Sequence, residues 1–136
     1  MLIEVCVDTL AGLEQAVAGG AGRIELCSAL DLGGLTPSAG LMRAAAGCGL
    51  PVLAMMRPRA GGFCWSGAEL ALICDDIAMA RQAGMAGVVL GASLPDGRLD
   101  LPALARMRAA AAGDGGDAAS LFRSGARPGG GAGGGD

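Results

Sequence analysis

A carboxylate and a thiol recur two residues apart in two short apolar runs near the start of the chain. The first run reads IEVC at residues 3–6, and the second reads IELC at residues 24–27. Thiolates and thioethers are the ligands that Cu(I) prefers, whereas carboxylates can transfer protons or bind charged groups. The repeated pattern therefore indicates two kinds of chemistry, a soft-metal site formed by the thiols and a ligand or acid–base site formed by the carboxylates.

These polar side chains are predicted to share one face of a sheet. Successive side chains of a strand point to opposite faces, so Glu4, Cys6 and Asp8 fall together, and so do Glu25 and Cys27 in the next run. The apolar residues between them point the other way, toward covering helices. Adjacent parallel strands lie about 4.8 Å apart, and the two thiols are therefore predicted to face each other closely enough to bind one Cu(I) ion.

A third strand-like run ends in the residues MMRPR at 55–59, which bring positive charge to the same face. A buried carboxylate is tolerated only when it is paired. The planar guanidinium of Arg57 suits a carboxylate, so we predict that it pairs with Glu4 or Glu25, and Arg59 follows with the same parity. A structural ion-pair network and a ligand-binding site both fit this arrangement. Either methionine of the run could add a sulfur to a copper site.

Simpler structural roles fit several of these residues. Free cysteine is usually a small buried core residue, which is the alternative for Cys6 and Cys27. Thr36 and Ser38 are better explained as helix-start residues than as catalytic hydroxyls. The sequence contains no His, so no Ser/His/Asp or Cys/His arrangement can form. No catalytic residue is assigned, and a binding protein is favoured over an enzyme.

Composition narrows the class of protein. The chain has 136 residues and a formal net charge of -3, which argues against a nucleic-acid-binding surface. It shows neither a signal-peptide pattern nor a run of about 18 apolar residues that could span a membrane. Its five cysteines are an odd number, so we expect reduced thiols in the cytoplasm rather than a disulfide framework.

Strand-like and helix-like segments alternate along residues 1–112, the predicted folded domain. The strand-like runs are 2–7, 23–27, 51–56 and 86–91, and each is followed by a helical pattern. Ser66 and Glu69 form a capping-box pattern at the third helix. Four such βα units predict an α/β fold with a parallel sheet. A doubly wound sheet and part of a (β/α)8 barrel both fit, although no G-x-G-x-x-G dinucleotide motif follows the first strand.

The segment 113–136 differs from the rest of the chain. Ten of its 24 residues are glycine, and no helical or strand period is visible. Glycine loses the most backbone entropy on ordering. We therefore predict a disordered Gly-rich tail, for which an out-of-frame end is one explanation.

Four segments together resemble the CutC family of copper homeostasis proteins. They are IEVCVD at 3–8, RIELCSAL at 23–30, GGLTPSAG at 33–40 and RPRAGGFCWS at 57–66, and the similarity runs in order over about residues 2–112. The resemblance implies a cytoplasmic (β/α)8 barrel that handles copper through cysteines. Its pocket positions would be Glu4, Cys6, Asp8, Glu25, Cys27, Thr36, Arg57 and Arg59.

The length indicates only half of such a barrel, because a complete one takes about 250 residues. The family's fifth strand carries a His-Arg-Ala-Phe-Asp motif, and this sequence has no His. We therefore expect a chain truncated after about four βα units, which self-associates through the open edges of its first and fourth strands.

Three functions remain open at this point. The first is copper homeostasis, with Cu(I) bound by Cys6 and Cys27. The second is a barrel-enzyme fragment that binds a small anionic substrate through Arg57 and Arg59. The third is a truncated remnant without function.

Overall fold

The fold is an α/β arrangement in which each of the first four strands is followed by a helix. The computed structural model describes residues 1–113 and the backbone of residues 121–125. Its elements are β1 (Glu4–Val7), α1 (Leu10–Ala18), β2 (Arg23–Leu26), α2 (Ala39–Ala45), β3 (Val52–Met55), α3 (Gly67–Gln82), β4 (Gly87–Gly91), α4 (Leu101–Ala112) and β5 (Leu121–Gly125), with a 3-10 turn at Leu30–Leu32.

The strands form one parallel sheet in the order β1-β2-β3-β4-β5. The predicted alternation and the parallel sheet are therefore confirmed. A doubly wound sheet reverses its strand order at a switch point, whereas here each strand lies beside its neighbour in sequence. This singly wound order is that of a (β/α)8 barrel.

The helices begin where short-range capping signals predict. Thr9, Ser38 and Asp100 cap their helices by accepting a backbone N–H with a side-chain oxygen. Ser66 and Glu69 form the predicted capping box at the start of α3. In the helices that the structure describes, none is long and apolar enough to cross a membrane.

The core lies between the helices and one face of the sheet. Strand residues with one parity, such as Ile24 and Leu26, are fully buried against helical residues such as Ile73, Ile77 and Met107. Residues with the other parity, which include Cys6 and Glu25, lie on the face of the sheet opposite the helices, which we call the inner face. The predicted alternation of the strands is confirmed, although Ile3 precedes β1 and is 51% exposed.

The strand β5 lies inside the segment that was predicted to be disordered, so that prediction is wrong for residues 121–125. Its backbone pairs in parallel with β4, with Val89 beside Arg123. The open edge of β4 offers unpaired N–H and C=O groups, a long-range feature that the local sequence pattern cannot reveal. Among the described strands, β1 and β5 lie at the ends of the sheet, and the self-association expected through the first and fourth strands stays a prediction. Residues 114–120 and 126–136 of the predicted tail lie outside the described residues.

Candidate functional site

The strand register arranges the inner face in transverse rows. One row contains Cys6, Glu25, Leu53 and Gly87, which are successive Cα partners across four strands. Two residues further along the strands, Met55 pairs with Val89. Continuing the β1–β2 and β2–β3 registers by one residue adds Asp8 and Cys27 to this second row. The second row lies nearer the carboxyl ends of the strands, where barrel proteins form their sites.

The two predicted metal-binding thiols occupy different rows. Cys6 lies opposite Glu25, and its Sγ donates to Glu25 Oε2 at 3.4 Å. Cys27 Sγ donates to the carbonyl oxygen of Val7 at 3.6 Å. The prediction that Cys6 and Cys27 face each other directly is therefore wrong. The parallel register offsets the thiols by two residues and makes them diagonal neighbours on the same face.

The environments of the two thiols also differ. Cys6 is exposed, whereas Cys27 is only 2% exposed. Burial raises the pKa of the Cys27 thiol to about 11, and the nearby Cys6, Asp8 and Glu25 add to this shift. Cys27 is therefore a neutral thiol at pH 7, in surroundings that disfavour its thiolate form.

The carboxylates find partners other than the predicted one. Glu4 pairs with Arg23 at 2.7 Å rather than with Arg57, because the register sets Glu4 and Arg23 directly opposite each other. Glu25 is buried and accepts the Cys6 thiol. Asp8 accepts the backbone N–H of Leu30 at 3.1 Å, so it holds the 3-10 turn that follows β2.

Arg57 lies buried beneath the loops that follow β2 and β3. Its guanidinium donates to the carbonyl oxygens of Leu32 and Gly61, both at 2.8 Å, and to that of Gly34 at 3.4 Å. The Phe63 ring lies over it at 4.9 Å. Charge-assisted hydrogen bonds of this kind are roughly twice as strong as neutral ones. Arg57 therefore holds the two loops together at the carboxyl end of the sheet.

Arg59 directs its guanidinium toward the start of α3. It forms a two-bond contact with Glu69 at 2.7 and 3.2 Å, and it donates to the carbonyl oxygen of Gly62 at 2.6 Å. Its hydrogen bond to Glu69, followed by that from the Ser66 backbone, lowers the pKa of the Glu69 carboxyl. Arg59 also stacks on Trp65 at 4.6 Å. The loop of residues 60–66 is thereby fixed to the helix.

Thr36 connects the loop after β2 to the end of β3. Its hydroxyl accepts the N–H of Arg57 at 2.8 Å, and its own N–H donates to the Arg57 carbonyl oxygen at 2.9 Å. Helix α2 begins beyond it, with Ser38 as the cap. Thr36 is thus a bridge between two strand ends and not the helix cap that the sequence indicated.

A cavity of about 550 Å³ lies on the helix side of this region. Thr36, Met42, Arg57, Asp76 and Met79 are among its lining residues. Burial raises the pKa of Asp76, and the adjacent Asp75 adds to the effect. Thr36 and Arg57 belong to the ligand-binding set predicted from the sequence, whereas Met42, Asp76 and Met79 were not among the predicted site residues.

The sulfur and carboxylate groups do not form a dense metal cluster. Within residues 1–113, the structure contains no group of three or more His, Cys, Asp and Glu side chains arranged to bind a metal ion. The inner face offers instead two diagonal thiols beside carboxylates. This sparse donor set fits a soft cation of low coordination number better than a hard cation, which needs six or more oxygen ligands.

Comparisons with known proteins agree with this architecture. The CutC family profile matches residues 1–122. A family protein CutC of Rhizobium meliloti (strain 1021) is 62% identical over 113 residues, which cover 83% of this chain and 46% of that protein. One from Sinorhizobium medicae (strain WSM419) is 60% identical over 115 residues, or 85% and 47% of the two chains. The chain thus spans about half the length of the curated relatives it matches.

A solved structure shows the same fold. The crystal structure of CutC from Streptococcus agalactiae, a protein whose name links it to copper homeostasis, matches with a TM-score of 0.77 and 30% identity. The match covers 83% of this chain and 56% of that one. The βα units described above are therefore part of a TIM-barrel-type fold. The singly wound sheet, the four sequence segments and the family profile lead to one conclusion: this chain belongs to the CutC family.

Proposed function

We propose that this chain binds Cu(I) through Cys6 and Cys27 on the inner face of its sheet. The observation that carries the proposal is the diagonal placement of two thiols on adjacent strands, one exposed and one buried. The exposed thiol of Cys6 can receive the ion from solution. The buried thiol of Cys27 can then hold it away from water, because soft thiolates select Cu(I).

The carboxylates near the two thiols favour the binding of a cation over the binding of an anion. Glu25 accepts the Cys6 thiol, and Asp8 follows β1 beside Cys27. A bound Cu(I) would displace the thiol proton, because metal ligands must be deprotonated. Its positive charge would then offset the negative charges of Asp8 and Glu25, which add to the effect of burial in raising the pKa of Cys27. The carboxylates Glu4, Asp8 and Glu25 would therefore assist binding by their charge.

The arginines and Thr36 are proposed to shape this site. The guanidinium groups of Arg57 and Arg59 already donate to loop carbonyl oxygens and to Glu69. A small anion would have to compete with those bonds, and for this reason copper binding is preferred to the anionic-substrate alternative.

Cu(I) titration of the reduced chain against a chromophoric chelator, without oxygen, tests the proposal. We expect one Cu(I) per chain, and we expect a Cys6→Ser/Cys27→Ser variant to lose at least about 100-fold in affinity. A Cys64→Ser/Cys74→Ser variant is the matched control, since it removes two thiols from the loop after β3 and from α3.

Two outcomes would contradict the proposal. One is unchanged binding in the Cys6/Cys27 variant, and the other is an equal loss in the control. Circular dichroism of each apoprotein separates loss of binding from loss of fold. Thermal stabilisation by small anions, abolished by Arg57→Met, would support the barrel-enzyme alternative instead.

A further inference from the structure

We infer that Met55 supplies a third sulfur ligand, so that the Cu(I) site is a three-coordinate set of two thiolates and one thioether. The inference rests on the proposed Cu(I) binding and extends it to a residue on a third strand. Continuing the β2–β3 register by one residue sets Cys27 beside Met55. Both side chains therefore lie on the inner face in the same row, with adjacent strands separated by about 4.8 Å.

A glycine in the loop after β2 lies close to both side chains. A Cβ atom added to Gly34 would lie 3.5 Å from Cys27 Sγ and 3.9 Å from the Met55 methyl carbon, Cε. The thiol and the thioether methyl therefore pack against the same small residue. Gly34 has a φ of +96°, a conformation that suits glycine and brings the loop backbone close to the Cys27 thiol and the Met55 methyl group.

The neighbouring methionine is excluded by its position. Met56 is 1% exposed and belongs to the hydrophobic core on the helix side of the sheet. Met55 has the opposite parity, is only partly buried, and faces the same side as Cys27. The sequence left the choice between the two methionines open, and strand parity assigns Met55.

The chemistry of a thioether gives this assignment a specific signature. A thioether is a soft, neutral ligand that binds Cu(I), whereas Zn²⁺ is bound by thiolate, imidazole and carboxylate groups. Removing Met55 should therefore weaken Cu(I) binding and leave Zn²⁺ binding by the thiols almost unchanged. A role in packing alone would not distinguish the two metals.

The test compares Met55→Leu with wild type in Cu(I) and Zn²⁺ titrations. Leucine keeps a similar apolar volume and removes only the sulfur. We expect Met55→Leu to lower Cu(I) affinity about tenfold or more and to change Zn²⁺ affinity less than about twofold. The number of sulfur ligands found by X-ray absorption spectroscopy of the bound copper should fall by one. Met79→Leu is the control, because Met79 lies on α3 beside Arg43 and not on the inner face.

The outcomes separate this inference from the proposed function. Unchanged Cu(I) affinity and sulfur count in Met55→Leu would overturn the role of Met55, while loss of binding in Cys6→Ser/Cys27→Ser would still support a thiol site. Equal losses for both metals, or a similar loss in Met79→Leu, would also overturn it, since these results indicate a packing effect. Full binding in the double cysteine variant would instead refute the thiol site itself.

Discussion

The β1–β2 part of the inner face and the carboxyl end of β3 differ in how their polar groups are used. At β1 and β2, contacts form across neighbouring strands, as between Cys6 and Glu25, and one thiol stays exposed. At the end of β3, Arg57 and Arg59 reach into loops and bind carbonyl oxygens. Because the thiols, carboxylates and arginines share one strand parity, the sequence predicted a single shared site. The structure contains instead a thiol–carboxylate patch and a separate network in which the arginines fix the loops.

Side-chain length and loop composition explain this difference. A guanidinium carries five N–H donors, and burying them requires several acceptors at once. Loops that contain Gly34 and Gly61, both at positive φ, have no side chain to keep Arg57 from the backbone. Short groups such as the Cys6 thiol reach only the adjacent strand. The comparison indicates that the arginines stabilise the fold, and it is consistent with the proposal that the thiols bind the ligand.

Replacing Arg57 should give the largest effect on stability. We expect Arg57→Met to lower the free energy of unfolding by about 3 kcal/mol, because charge-assisted hydrogen bonds to two loops are lost together. Urea unfolding measures this loss. Arg98→Met is the control, since Arg98 forms an exposed pair with Asp96, and should cost less than about 0.5 kcal/mol. Equal costs for the two variants would contradict a loop-fixing role for Arg57.

Alkaline pH should destabilise the protein through Cys27. Its folded pKa is about 11 against an ordinary value of 9.0, so the folded state holds the proton more tightly than the unfolded chain. This contribution is complete below pH 9 and is lost as the pH rises through 11, and it amounts to about 2 kcal/mol.

The unfolding free energy between pH 8 and 11 tests this expectation. The chain contains no Tyr, and all its basic side chains are Arg, so cysteines are the side chains that titrate in this window. Cys27→Ala should show a shallower decline than wild type. Identical slopes would show that burial of Cys27 does not raise its pKa, and would weaken the contrast between the two thiols.

A smaller effect is expected for Arg59. Its side chain is 40% exposed in the pair with Glu69, so Arg59→Met should cost only about 1 kcal/mol. The local effect should be clearer, because the loop of residues 60–66 loses its attachment to α3 and should be cleaved faster in limited proteolysis. Cleavage at the wild-type rate would show that the other contacts of this loop, such as the hydrogen bond from Arg57 to Gly61, are enough to fix it.

Short-range features of the structure could be predicted from the sequence, whereas long-range partners could not. The Ser66–Glu69 capping box spans three residues, and strand parity follows from alternation, so both were predictable. The Cys6–Glu25 register depends on the geometry of the whole first βα unit. The partners of Arg57 depend on two loop conformations, and β5 depends on the open edge of β4. Sequence therefore assigned residues to the inner face but could not assign their partners.

The hydrogen bond from Trp65 Nε1 to the carbonyl oxygen of Gly91, at 2.7 Å, has a practical consequence. Trp65 is the only tryptophan in the sequence, and it attaches the loop after β3 to the end of β4. Its fluorescence therefore reports on the surroundings of this one loop. The emission spectrum can show whether copper or a substitution releases the loop before the rest of the molecule unfolds, with no need for an added label.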